Sequence, residues 1–254
     1  MPELVLSGVS RNFGGLPAVA DLSMTVPPGR ITGLIGPNGA GKTTVVNMIA
    51  GFLKLTTGSI RLGGVDIGEA EAPEVARAGV ARTFQNIRLM AEGTVLENVM
   101  AGFHRHETAS LLSNFLALPS ARAETAALRD KAMGMLERFG MAAFAAVPAG
   151  TVSYGHQRRI EMMRALAAQP SVLLLDEPVA GMNDTEASEL DAIFREVAAQ
   201  GVAILLIEHN MRFVMSLCEH IHVLASGRLI AQGTPAEIGS HPDVVNAYLG
   251  AEAC

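Results

Sequence analysis

The sequence contains few of the residues that would place the chain outside the cell or within a membrane. Its only cysteines are Cys218 and Cys254, which cannot form a disulfide framework. The mean hydropathy is +0.31, but no run of about 18 uncharged apolar residues occurs, so a membrane-spanning helix is not expected. The N-terminus, Met1-Pro2-Glu3, does not have the basic and then apolar pattern of a signal peptide. These features together predict a cytoplasmic protein.

Positive charge is also scarce. The chain has three lysines and no tryptophan, and its formal net charge is −6, with a pI of about 5.6. A protein that binds nucleic acid by broad neutralisation of phosphates needs a basic surface. The composition therefore argues against a nucleic-acid partner.

Strand-like and helix-like segments alternate along most of the 254 residues. Residues 31–35, 172–175 and 202–207 are short apolar runs with the length of buried strands. Between 95 and 144 the chain is instead rich in Ala, Leu, Met, Glu and Arg, with helical spacing of the apolar positions. The pattern predicts an α/β core with parallel strands, into which a helical subdomain is inserted.

Residues 36–43 fit the pattern G-x-x-x-x-G-K-[ST], between a predicted strand and a predicted helix over 44–50. Its glycines let successive backbone N–H groups point at one anion, and the helix adds the positive end of its dipole. Lys42 would reach the β- and γ-phosphates of a nucleotide, and the Thr43 hydroxyl would ligate Mg²⁺. The predicted nucleotide-binding residues of this loop are Gly36, Pro37, Asn38, Gly39, Ala40, Gly41, Lys42, Thr43 and Thr44.

Two carboxylates, Asp176 and Glu177, follow the apolar run at 172–175. Because strand ends in parallel sheets face the ligand crevice, both acids are expected beside the phosphate loop. Asp176 would hold Mg²⁺ through water, and Glu177 would polarise the attacking water.

With these motifs, the sequence resembles the ATP-binding cassette family, the nucleotide-binding subunits of ABC transporters, over essentially its whole length. Gln85 matches the Q-loop glutamine, which implies contact with Mg²⁺ and the attacking water. Ser153 and Gly155 lie in the signature segment, expected before a helix over 160–168, and His209 matches the switch histidine that contacts the γ-phosphate. Phe13 lies where an aromatic ring stacks on adenine.

The resemblance implies a P-loop NTPase (RecA-like) core with an N-terminal antiparallel β subdomain. The core would comprise 1–85 and 165–254, and the helical signature subdomain 86–164. The resemblance also implies that ATP and Mg²⁺ are sandwiched between two cassettes, this chain with itself or with a paralogue. Departures from the family signature, such as Tyr154 for glycine and His156 for glutamine, remove no group required for chemistry. Active hydrolysis is therefore expected, with Lys42, Gln85, Glu177 and His209 as catalytic residues and Thr43, Gln85 and Asp176 at the metal.

Within this family, several segments of the sequence resemble those of the ATPases of bacterial branched-chain amino-acid importers. They include the signature Tyr-Gly-x-Gln-Arg-Arg, the segment Ala-Gly-Met-Asn at 180–183 and the C-terminal segment 242–250. Importers of urea and short amides share much of this pattern, so they remain an alternative, as does the ATPase of a lipid or lipopolysaccharide exporter. A soluble ABC ATPase acting on DNA or ribosomes is disfavoured, because too few residues separate Gln85 from Ser153 for a coiled-coil insertion.

Such a subunit would lie on the inner face of the cell membrane. Its partners would be permease subunits, a second ATPase subunit and, indirectly, a solute-binding protein. A groove around 85–90, including Leu89, is expected to receive the permease. Surface ion pairing is the interpretation favoured for Arg159.

Overall fold

The computed structural model describes residues 1–83, 87–104 and 119–251, and the chain forms two compact units. The first unit joins Met1–Arg82 to Ser171–Cys254, and the second is Thr83–Pro170. The chain thus leaves the first unit after Arg82 and returns to it at Ser171.

The first unit contains two sheets. Their strands, within the described residues, are β1 Leu4–Phe13, β2 Leu16–Val26, β3 Ile31–Ile35, β4 Thr57–Leu62, β5 Val65–Asp66, β6 Val80–Arg82, β7 Val172–Asp176, β8 Ala203–Ile207, β9 His220–Ala225 and β10 Arg228–Gly233.

The two sheets differ in their strand direction. The four-stranded sheet has the order β2-β1-β4-β5 and is antiparallel, and the six-stranded sheet has the order β10-β9-β3-β8-β7-β6. In the latter only β10 runs antiparallel to its neighbour. Every residue of β3, β7 and β8 is buried, which explains why these strands are continuous apolar runs in the sequence. The mixed α/β fold predicted from the sequence is confirmed.

The α-helices fall into the same two units, with α3, α4 and α5 in the second. In chain order they are α1 Lys42–Ile49, α2 Ala72–Ala78, α3 Val95–Gly102, α4 Pro119–Arg138, α5 Tyr154–Ala167, α6 Asp184–Ala199, α7 Met211–Leu217, α8 Pro235–Gly239 and α9 Pro242–Ala251. Across the described ranges, none of these helices combines the length and the apolar character needed to cross a bilayer.

The second unit is built on the contact between α3 and α5. Thr94 caps α3 by accepting the Glu97 N–H, and the Glu97 carboxylate in turn accepts the Thr94 N–H. Gly102 lets the helices approach closely, because a Cβ there would lie 2.5 Å from the carbonyl oxygen of Arg164. This unit extends to Pro170, past the expected boundary at 164, because α5 is continuous to Ala167.

Candidate functional site

The phosphate loop connects β3 to α1 in a conformation that requires glycine. Gly36 has a φ of +150°, and a Cβ there would lie 2.0 Å from the carbonyl oxygen of Leu224 on β9. Gly41 has a φ of +105°, and its Cβ would lie 2.6 Å from the carbonyl oxygen of Ala18 on β2. The loop is therefore held closely against two strands, and the first N–H groups of α1 remain available to an anion.

Lys42, the first residue of α1, extends back across this loop. Its Nζ donates hydrogen bonds to the carbonyl oxygens of Gly36, at 2.6 Å, and of Pro37, at 3.0 Å. Burial lowers the pKa of the Lys42 ammonium, while the negative charges of Glu177 and Asp176 act in the opposite direction. Lys42 is only 7% exposed, and the two hydrogen bonds hold its ammonium group against the loop. The neighbouring Thr43 is exposed and presents its hydroxyl in the first turn of the helix.

The two predicted carboxylates lie where β7 ends. Asp176 is buried, and its Oδ2 atom lies 3.1 Å from Nη2 of Arg82. Glu177 has a φ of +51°, a left-handed conformation that is uncommon for a residue with a side chain. Its Oε1 atom lies 2.9 Å from Nε2 of His209. The structure thus brings together Glu177 and His209, which are 32 positions apart in the sequence.

Phe13 ends β1 with its ring 45% exposed. The guanidinium carbon of Arg11 lies 4.8 Å from the centre of this ring, which is a cation–π distance. An exposed ring of this kind can stack on a purine base.

The signature segment lies in the second unit, at the start of α5. Ser153 is the N-cap residue, and its Oγ accepts the His156 N–H at 3.4 Å. Gly155 is in the first turn, where N–H groups have no partner within the helix. The sequence predicts that this helix begins at 160, but in the structure it begins six residues earlier, at Tyr154. Gln85, predicted to contact the metal and the water, lies outside the described residues.

The longer helix corrects the interpretation of Arg159, which is not a surface residue. It is 7% exposed, and its Nη1 donates to the carbonyl oxygen of Phe139 at 3.1 Å. Arg158 is also buried, with Nη1 3.2 Å from Oε2 of Glu161 and Nη2 2.9 Å from the Tyr154 hydroxyl. Both arginines are therefore buried within α5: Arg159 ties this helix to Phe139, the residue after α4, and these contacts of Arg158 join it to other residues of α5.

Comparison with known proteins agrees with this geometry. The family model described as "ABC transporter" matches residues 19–180. The chain belongs to the ABC transporter family. A second model, "Branched-chain amino acid ATP-binding cassette transporter", matches residues 228–254 of this ABC subunit.

Individual relatives of the ABC subunit match it over nearly its full length. It is 42% identical to the high-affinity branched-chain amino acid transport ATP-binding protein BraF of Pseudomonas aeruginosa, over 98% of each chain. It is 43% identical, again over 98% of each chain, to the protein of the same description named LivG in Escherichia coli. A crystal structure of a nucleotide-free ATP-binding cassette from an ABC transporter is 32% identical, with a TM-score of 0.84 over 98% of this chain and 99% of that one.

Membership of the ABC family makes the chain an ATPase, with ATP as its nucleotide. ATP-binding subunits of ABC importers work with permease subunits. The donors near the phosphate loop, the hydroxyl of Thr43 and the carboxylate of Asp176, are hard oxygen ligands of the kind that Mg²⁺ prefers. The described residues therefore fit a magnesium nucleotide.

Glu208 is a residue of this site that the sequence analysis missed. It is buried at the end of β8, and its Oε1 accepts the N–H of Val179 at 3.0 Å. Its Oε2 accepts the N–H groups of His209, at 2.9 Å, and of Asn210, at 3.2 Å. One carboxylate thus connects the loop that follows Glu177 to the loop that carries His209. The available signal was an acid directly after an apolar strand, the same signal that identified Asp176.

Proposed function

We propose that this chain is the ATP-hydrolysing subunit of a bacterial importer of branched-chain amino acids. The observation that carries the proposal is the full-length similarity to BraF and LivG, together with the match of residues 228–254 to the model specific for such cassettes. Those residues include β10, α8 and α9, which lie outside residues 19–180, the range that the general ABC transporter model matches.

In the proposed mechanism, Lys42 and the N–H groups at the start of α1 bind the phosphates, and the Phe13 ring stacks on adenine. Mg²⁺ would be held by Thr43 and Asp176, with Gln85 as a further ligand. When bound, the metal would neutralise negative charge on the phosphates. Thr44 and the remaining loop residues would complete the phosphate cradle.

We propose that Glu177 orients and deprotonates the attacking water. The 2.9 Å contact with Nε2 of His209 fixes one carboxylate oxygen, and a carboxylate held in this way can accept a proton from water. We assign Glu177 as the general base and His209 as the residue that orients it and contacts the γ-phosphate.

A second cassette would complete each site. Ser153 and Gly155 present a helix N-terminus, which favours an anion. We propose that they bind the γ-phosphate held by the opposite chain, so that ATP joins two cassettes at the inner face of the membrane.

Deleting the gene for this chain in its own host should abolish energy-dependent uptake of leucine, isoleucine and valine. Restoring the wild-type gene should restore uptake, and a Lys42→Ala gene should not, because the phosphates would lose their principal cation. Initial rates of uptake of the three radiolabelled amino acids measure this.

Parallel assays in the same strains distinguish the alternatives. Uptake of urea and a short amide, and the appearance of lipopolysaccharide at the cell surface, should be unchanged by the deletion. Normal amino-acid uptake together with loss of one of these activities would contradict the proposal and identify the alternative.

The segment that follows residue 86 is the proposed docking surface for a permease. It is pinned by the buried side chain of Asn98, whose Oδ1 accepts the Met90 N–H at 2.9 Å and whose Nδ2 donates to the Met90 carbonyl at 3.0 Å. Held in this way, Met90 is exposed and Leu89 is half-buried. The apolar side chains of Leu89 and Met90 could pack against a short helix of the partner.

A Leu89→Asp substitution should prevent assembly with the permease and leave ATP binding unchanged. Placing a charge at the centre of an apolar interface costs at least about 2 kcal/mol, or roughly 30-fold in affinity. Co-purification of the tagged chain with its permease subunits, beside a nucleotide titration, measures both effects. Val65→Asp, at another exposed apolar position, is the matched control. Undiminished assembly of the Leu89→Asp chain would show that the permease binds elsewhere.

A further inference from the structure

Arg82 is the last residue of β6, next to the strand that ends in Asp176. Three contacts of its guanidinium link different parts of the first unit. Nη2 lies 3.1 Å from Oδ2 of Asp176, and Nη1 donates to Oδ1 of Asn47 at 2.5 Å. Its Cζ atom lies 5.9 Å from the centre of the Phe52 ring.

These contacts join Asp176 to the helix that opens with Lys42 and Thr43. Asn47 lies in α1, and Phe52 follows that helix, with its N–H donating to the Asn47 carbonyl at 2.9 Å. The side chains of Arg82 and Asp176 are 9% and 5% exposed. Because the guanidinium is planar and its donors have fixed directions, holding Asn47 also fixes the direction in which Arg82 meets the carboxylate.

We propose that Arg82 is a positioning residue for the magnesium site. It holds Oδ2 of Asp176 and thereby sets the orientation in which this carboxylate meets the metal, in register with Thr43 on α1. Arg82 acts only through Asp176 and does not touch the nucleotide. The proposal rests on the proposed assignment of Asp176 to Mg²⁺.

An Arg82→Lys substitution tests this role, because lysine keeps the charge but has a single donor centre and cannot hold Asn47 and Asp176 in the same fixed geometry. Residues that orient metal ligands typically contribute about 10–100-fold to metal affinity. We therefore expect the Mg²⁺ concentration for half-maximal tightening of fluorescent ATP binding to rise about 10-fold or more. Binding of the same nucleotide in EDTA should change less than about twofold, because its contacts lie elsewhere.

A second variant and a control keep the measurement independent of folding. Asn47→Ala removes only the anchor of Arg82, so it should shift the Mg²⁺ dependence in the same direction by a smaller amount. Arg195→Lys alters an exposed ion pair with Asp191 in α6 and should change nothing. Melting temperatures of all variants are measured without nucleotide.

The outcomes separate this inference from the function on which it rests. An unchanged Mg²⁺ dependence in Arg82→Lys and Asn47→Ala would overturn the positioning role, and so would an equal loss of binding with and without Mg²⁺. Asp176→Asn is the reference. If that variant also keeps the wild-type Mg²⁺ dependence, the assignment of Asp176 fails, and the inference about Arg82 fails with it.

Discussion

A Glu177→Gln substitution is expected to lower ATP hydrolysis by about 10²–10⁴-fold, the usual contribution of a general base. The amide has nearly the size of the carboxylate and can still meet His209, whose Nε2 lies 2.9 Å from Oε1. It cannot take a proton from water. The loss of one negative charge near Lys42 also reduces repulsion toward the phosphates, so ATP binding should persist. The variant should therefore accumulate as an ATP-bound dimer.

Single-turnover phosphate release and size-exclusion chromatography with Mg-ATP measure these two effects. Glu69→Gln is the matched control, because Glu69 is exposed and follows β5 of the four-stranded sheet, whereas Glu177 follows β7 of the six-stranded sheet. Turnover close to that of the wild type would remove Glu177 from the role of base. Loss of ATP binding would instead show that its carboxylate serves mainly to hold the site together.

The second large effect is expected from Gly36→Ala. A Cβ at this position would lie 2.0 Å from the carbonyl oxygen of Leu224, in a backbone conformation that side chains rarely adopt. Backbone strain of about 1–3 kcal/mol and overpacking of about 1–3 kcal/mol predict a combined loss of roughly 2–6 kcal/mol of unfolding free energy. The obstructing atom is backbone within a sheet, so the loop must move, and ATP binding should fall with stability.

Urea unfolding and nucleotide titration measure this effect, and the same loop supplies the control. Gly39 also has a positive φ, of +78°, but a Cβ there would have no atom within 4 Å. Gly39→Ala therefore carries the conformational strain without the collision. Equal losses in the two variants would mean that the close approach to Leu224 is unimportant.

The sequence predicts those parts of the site that depend on local patterns. Strands buried on both faces are continuous apolar runs, so β7 and the acids at its end were found from the sequence. The phosphate loop was found in the same way, because its glycines and Lys42 lie within eight positions. Each pattern lies within a short segment, so it can be recognised without knowledge of tertiary contacts.

The rest of the site depends on contacts between distant parts of the chain. Arg82 and Asp176 are 94 positions apart, and only the pairing of β6 with β7 brings them together. Two adjacent arginines usually indicate a solvated surface, whereas Arg158 and Arg159 both lie in α5, which begins at Tyr154, and both are buried. The partner of Arg159, the backbone carbonyl of Phe139, carries no sequence signal.

The Glu208 carboxylate has a consequence for motion as well as for geometry. Because it accepts N–H groups from Val179 and from His209 and Asn210, neither loop can open without releasing a buried negative charge from its donors. The three amides should therefore exchange their hydrogens with solvent as one cooperative group. A displacement of His209 would therefore also displace the backbone that follows Glu177, and the two loops would move together.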